Sequence, residues 1–151
     1  RVRDEGTTAS RGRLHPGERL SLRLPPESPT VHADALRLAQ VLENLLSNAS
    51  KYTDPGGAID VEVEVVDDEI EIRVRDTGIG LPPEQLERVF ELFTQVEAGS
   101  DRTQGGLGIG LSLVRQLVAM HGGRVSAHSE GPGRGACFVV RLPRMVATVA
   151  A

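Results

Sequence analysis

Apolar and polar positions along the chain change period several times, and each change marks an element. From Glu18 to Leu24 the run ERLSLRL alternates polar and apolar, which predicts a short strand that PPESP at 25–29 ends, since proline cannot continue a ladder. After Asp34, a good helix cap, Leu36, Leu38, Val41, Leu42, Leu45, Leu46 and Ala49 fall at helical spacing and predict a long helix over Ala35 to Tyr52. Asp54-Pro55-Gly56-Gly57 breaks it. AIDVEVEVV and EIEIRVRD then alternate at period two about the turn Asp67-Asp68, which predicts an antiparallel hairpin with one buried face. Beyond Gly80, Pro82-Pro83 and the spacing of Leu86, Val89, Phe90 and Phe93 predict a second, short helix. Thr94 to Gly108 carries almost no apolar period and reads as a functional lid. Helical spacing resumes from Ile109 to His121, with Gly122-Gly123 as a stop, and RVSAHSE and GACFVVRLP read as two closing strands joined by GPGRG.

Strands and helices segregated in this order predict an α+β sandwich, with a mixed or antiparallel sheet covered on one face by three helices. Its 151 residues suit one domain. Residues 1–17 are expected to be a linker or loosely docked arm, 18–143 the domain, and 144–151 a tail.

Composition then removes several functions. With 17 basic against 21 acidic side chains and a net charge of -4, the chain offers no basic field for nucleic acid or an anionic membrane. No apolar run approaches the roughly 20 residues of a membrane span, so a cytoplasmic chain without direct membrane contact is expected. Aromatic residues make up only 3% of the chain, which calls for an aliphatic core. The lone Cys137, in ACFVV, reads as a buried structural thiol.

Three blocks carry chemistry: NLLSNASKYT at 44–53, DTGIG at 76–80 and GGLGIGL at 105–111. Asn44, Asn48 and Lys51 share one helix face; amide oxygens suit Mg²⁺, and a lysine can neutralise phosphate. Asn48 is the preferred metal ligand. The same three residues also suit solvated helix positions and a cation at the helix end. Asp76 ends a strand beside Gly78 and Gly80, where a carboxylate can read an exocyclic amine while the backbone approaches a flat ligand, although Asp and Gly are also ordinary turn residues. Gly105, Gly106, Gly108 and Gly110 run into a helix start, whose free amides favour phosphate, without the endings of a P-loop or a dinucleotide fingerprint. Arg102 and Gln104 precede them and could reach a terminal phosphate. Together the blocks suggest a nucleotide site.

In order and spacing, these blocks resemble the catalytic, ATP-binding domain of sensor histidine kinases, within the gyrase, Hsp90, histidine kinase and MutL superfamily. NLLSNASKYT is similar to the family's asparagine box, DTGIG and GGLGIGL to its two glycine boxes, and FELF at 90–93 to its phenylalanine box. HGG at 121–123 and GRGACFVVRLP agree with its flanks, so the resemblance covers about residues 18–143. It implies a two-layer, Bergerat-type sandwich with an ATP lid. It also implies Asn48 on Mg²⁺, Asn44, Lys51 and Tyr52 around metal and phosphates, Asp76 on the adenine amine, and Gly78, Ile79 and Gly80 in the adenine slot. Arg102, Gly106, Leu107, Gly108, Ile109, Gly110 and Leu111 would hold the lid over the phosphates.

The superfamily's ATPase branches carry a water-activating glutamate at the position of Asn44, and an amide cannot act as a general base. Phosphoryl transfer to a protein histidine is the implied reaction, with Glu43 a candidate to assist the acceptor imidazole. The implied partners are a phosphoacceptor helix bundle of the same parent kinase and a response-regulator receiver domain. None of His15, His32, His121 and His128 sits in a helical acceptor motif, and all four read as ordinary structural or exposed histidines. The chain is therefore expected to be an excised, monomeric catalytic domain that binds ATP with little turnover of its own. A non-catalytic nucleotide-binding module and a serine-directed, anti-sigma-factor-type kinase are the alternatives.

Overall fold

A computed structural model describes residues 19–26, 34–91 and 109–144. The expected arm at 1–17, Phe93 and the lid at 94–108, with Arg102, Gly106, Leu107 and Gly108, lie outside the described residues. So does the tail beyond Arg144.

Five strands form one sheet in the order β1-β2-β3-β5-β4, with β1 Arg19–Arg23, β2 Ala58–Val66, β3 Glu69–Asp76, β4 Arg124–His128 and β5 Ala136–Pro143. The sheet is mixed. β1 pairs parallel with β2 through the intervening helix α1, Ala35–Lys51, and every other pair is antiparallel. A parallel neighbour needs such a crossover, whereas the two-residue turn at Asp67-Asp68 suffices for β2 and β3. α1 starts where Asp34 Oδ1 accepts the Leu36 and Arg37 amides at 3.0 and 3.3 Å, satisfying two of the donors that a helix start orphans. It stops at Lys51, ahead of Asp54-Pro55.

The second helix, α2, runs over Ile109–Met120. Between β3 and α2, the expected single helix is instead two turns of 3₁₀ helix, Pro83–Gln85 and Arg88–Phe90. They bury Val89 and Phe90, which explains the helix-like spacing of the apolar residues. The proline at the first helical position starts a turn without extending it. α1, α2 and these turns cover one face of the sheet. Leu38, Val41 and Leu45 of α1 and Val114, Leu117 and Val118 of α2 meet Ile59, Val61, Ile72, Val74 and Val140 in an aliphatic core, and Phe90 stacks edge-on against Phe138 at 6.0 Å. No helix among the described residues is long and apolar enough to cross a membrane.

The other sheet face carries charge. Arg73 is paired with Glu62 (2.5 Å), Glu64 (2.7 Å) and Glu71, and Arg141 adds a second contact to Glu71 at 3.1 Å. Cys137 lies on this face too, half-buried, with Arg75 and His128 as its cross-strand neighbours. The buried thiol expected from ACFVV is thus corrected: Ala136 and Phe138 take the core side, and period two puts Cys137 opposite. Partial burial still pushes its thiol up, against the pull of Arg75 and Arg73. Val139 beside it is buried as well, though outside the core cluster, which is why the segment reads as one apolar run.

Hydrogen bonding from Arg73 holds the Glu62 carboxyl below its usual range. Burial pushes Glu71 up, but hydrogen bonds from Arg73 and Arg141 outweigh it and leave Glu71 below its usual range. Carboxyls with depressed folded-state values stabilise the fold above their unfolded value, and that contribution is lost as pH falls through the folded value. Thermal melts of the wild type should therefore fall as pH drops below about 4.3. In Arg73→Gln this dependence should flatten.

Candidate nucleotide site

Asp76 ends β3 as a carboxylate that is 5% exposed. Its Oδ1 accepts the amides of Gly78 at 2.9 Å and Ala136 at 3.2 Å, so it is held by its own turn and by the start of β5.

The backbone after Asp76 is packed against two partners. Ile79 N–H donates to Tyr52 O (3.0 Å), the cap of α1, and a Cβ at Gly78 would collide with that same carbonyl. On the opposite side, Gly133 N–H donates to Ile79 O at 2.6 Å and Gly135 N–H to Gly78 O at 3.1 Å. Ser129 Oγ accepts Leu81 N–H at 3.0 Å and donates to Gly135 O at 2.6 Å. Gly80 (φ +70°) has no room for a side chain against Gly131 O. A bare backbone surface results, with one carboxylate at its root.

The turn at 129–135 is the part of the site that sequence reasoning missed. In sequence GPGRG reads as a plain connection between strands, yet Ser129, Gly131 and Gly135 brace the Asp76 turn. The available signal was the density of glycines: Gly131, Gly133 and Gly135 all have positive φ, more than a simple hairpin needs.

Along α1, Asn44, Asn48, Lys51 and Tyr52 are all half-buried. Asn44 to Lys51 spans about 10 Å of helix at 1.5 Å per residue. The Asp76 turn lies at the Tyr52 end. At the other end α2 begins, and the Cβ direction of Gly110 points to Asn44 Cγ at 4.0 Å. Burial pushes the Lys51 ammonium below the ordinary lysine value and the Tyr52 phenol above its own. The Lys51 Nζ sits 5.4 Å from the Tyr52 ring centre. Asn44 Nδ2 is buried with no hydrogen-bond partner among the described residues, although buried amides are nearly always paired. Glu43 is exposed beside it.

All three blocks therefore converge within the described residues, through Tyr52 with Ile79 and through Asn44 with Gly110. Leu111 instead turns toward the core, half-buried against it. Of Ile109 the structure describes only its place at the head of α2.

An orphaned amide with a helix start facing it, and a partly desolvated lysine about two turns further along α1, suit phosphates. The Asp76 turn offers one acceptor beside bare backbone, which suits a flat, amine-bearing ring. This combination points to a class, the nucleotide-binding α/β sandwiches, with α1, the β3 turn and the head of α2 as the candidate site.

Comparison with known proteins specifies the class further. The family model described as histidine kinase-, DNA gyrase B-, and HSP90-like ATPase matches residues 33–146, more than half of the chain. The sensor histidine kinase RcsC of Escherichia coli (strain K12) is 44% identical over 121 residues, covering 80% of this chain and 12% of that protein. The mycobacterial sensor histidine kinase MprB superposes with a TM-score of 0.79 at 29% identity, over 93% of this chain and 91% of that one. Full-length ShkA, crystallised in complex with AMPPNP, gives 0.80 at 32% identity over 95% of this chain and 29% of that one. The chain belongs to the histidine kinase-, DNA gyrase B- and HSP90-like ATPase family, as an ATP-binding catalytic domain of the sensor histidine kinase type. It spans about an eighth of the length of RcsC.

Proposed function

We propose that this chain binds Mg-ATP between α1 and the Asp76 turn and supplies the γ-phosphoryl for transfer to a histidine on a separate helix-bundle domain of the same parent kinase. From there the phosphoryl passes to a response-regulator receiver domain. Asp76 is the observation that carries the reading. A carboxylate this buried, fixed by two backbone amides beside a bare glycine surface, suits one acceptor role toward the exocyclic amine of adenine. Guanine presents a carbonyl at that ring position, so it would set two acceptors against each other.

The other roles follow from placement. Gly78, Ile79 and Gly80 give the ring a flat backbone to lie on. Lys51 and the amides at the head of α2, around Ile109, Gly110 and Leu111, face the phosphates, with Tyr52 completing the wall. Arg102, Gly106, Leu107 and Gly108 are proposed to close over them. Asn48, with Asn44 beside it, suits Mg²⁺: neutral amide oxygens are hard ligands, and among the described residues no three His, Cys, Asp or Glu groups form a cage of their own. The orphaned Asn44 group is the amide N–H donor Nδ2, which suits a phosphate oxygen as its acceptor rather than the metal. When bound, Mg²⁺ offsets charge on the phosphate oxygens.

This chain's own part in transfer is positioning. It holds the nucleotide, keeps water from the phosphates, and with Asn44 in place of a general base it does not activate water for hydrolysis. The domain at 18–143 is proposed to act on the cytoplasmic side as a monomer, with little turnover until it meets the acceptor bundle. Incubation with the bundle of its parent kinase and labelled ATP tests the reading. Acid-labile phosphate on a bundle histidine is expected; tight nucleotide binding without transfer would make the chain a regulatory module, and acid-stable product a serine-directed kinase. Glu43, exposed next to Asn44, is proposed to assist the acceptor imidazole. Glu43→Gln should leave nucleotide affinity within about twofold and slow transfer by about tenfold or more, read in single-turnover assays.

A further inference from the structure

α1 and α2 run antiparallel. Gly110 meets Asn44 at the site end, and some 15 Å away, by the rise of each helix, His121 meets Asp34. The far end of α2 closes in a Schellman turn: Gly122 has φ +77°, and the Gly122 and Gly123 amides donate to Ala119 O and Val118 O, each at 3.0 Å. The His121 amide turns to Val118 O at 3.1 Å, and the Leu117 carbonyl is taken by the ring of His121 through Nδ1 at 2.7 Å. The other ring nitrogen, Nε2, is 3.2 Å from the backbone nitrogen of Asp34, the cap residue of α1.

These two contacts fix the state of the ring. A carbonyl only accepts and a backbone N–H only donates, so Nδ1 carries the proton and Nε2 carries none. Neutral imidazole with its proton on Nδ1 joins the last turn of one helix to the first residue of the other. Asp34 Oδ1 is engaged with the Leu36 and Arg37 amides, and its second oxygen lies 3.7 Å from Arg37. The Asp34 backbone N–H is thus held by the histidine while its side chain caps α1.

We propose that His121 is a positioning residue for the nucleotide site, setting the register at which the head of α2 faces Asn44. The apolar contacts of Leu38, Val41 and Leu45 with Val114, Leu117 and Val118 hold the helices together, but such burial is non-directional and tolerates sliding along the axis. A hydrogen bond between the helix ends does not tolerate it. This inference rests on the ATP-site reading given above.

Nitrogen-15 NMR of the His121 ring in the wild type, together with titration of His121→Gln and His121→Leu by a non-hydrolysable ATP analogue with Mg²⁺, tests it. The ring should show a protonated Nδ1 and an unprotonated, hydrogen-bonded Nε2. Glutamine can offer an amide oxygen to the Asp34 N–H and should bind within about twofold of wild type, whereas leucine should bind about three- to tenfold more weakly well below its own melting temperature. A proton on Nε2, or equal affinity in all three proteins with only the melts differing, would overturn the proposal. Should His121→Leu fail to fold, the ring state and the glutamine variant decide: tenfold weaker binding by glutamine would also overturn it. No binding by the wild type would instead sink the ATP-site reading, a distinct outcome.

Discussion

Asp76→Asn should weaken binding of an ATP analogue by about a hundredfold or more while leaving the fold intact. Asparagine keeps an oxygen that can accept the Gly78 and Ala136 amides, now made by Oδ1 at 2.9 and 3.2 Å, so the turn retains its anchor. Its second terminal atom is the amide nitrogen, a donor only. Where the carboxylate accepts from the adenine amine, the amide presents donor to donor, and the ligand's N–H is left buried without a partner. The melt of Asp76→Asn should stay close to that of the wild type, and calorimetric titration should lose its heat. Equal loss of melting temperature and affinity would mean that Asp76 is a structural residue of the turn.

The second large effect concerns a residue outside the recognised blocks. Gly135 and Gly133 both have left-handed backbone, at φ +70° and +79°. A Cβ at Gly135 would strike the Asp76 carbonyl, while around Gly133 nothing lies within 4 Å. Gly133→Ala should therefore cost only the backbone term, about 1–2 kcal/mol. Gly135→Ala adds overpacking against main chain that cannot move without shifting Asp76, for about 3–5 kcal/mol in all. Its melt should drop by about 10 °C or more. Nucleotide affinity should fall with it, because the Ala136 amide that holds Asp76 is the next residue along. Similar behaviour of the two variants would contradict the bracing role of the 129–135 turn.

The contrast between these two sites also marks how far the sequence could be read. Elements with a clean period were legible nearly to their ends: α1 stops one residue short of the expected Tyr52, and the β2–β3 hairpin falls where AIDVEVEVV and EIEIRVRD place it. The stretch at 83–90 was not, because Leu86, Val89 and Phe90 need only one inward face, and two 3₁₀ turns supply that as well as a helix does. Cys137 was misplaced because five successive apolar residues in a central strand hide which of them face inward. At the candidate site, Asp76, Asn44 and the glycines stand out in the sequence because their chemistry is local and ordered along the chain. Ser129, Gly135 and the His121 ring were not. Their partners, Leu81, Asp76 and Asp34, are 48 or more residues away, and only the folded sheet and helix pair bring them together.

The central claim is that this chain carries an adenine-specific ATP site, and isothermal titration of the wild type with AMPPNP and Mg²⁺, beside a matched guanine analogue, tests it most directly. The account predicts saturable binding of the adenine nucleotide, with a rise in melting temperature, and no comparable heat from the guanine nucleotide. Absence of both heat and thermal stabilisation at millimolar AMPPNP, or equal binding of the two bases, would contradict it.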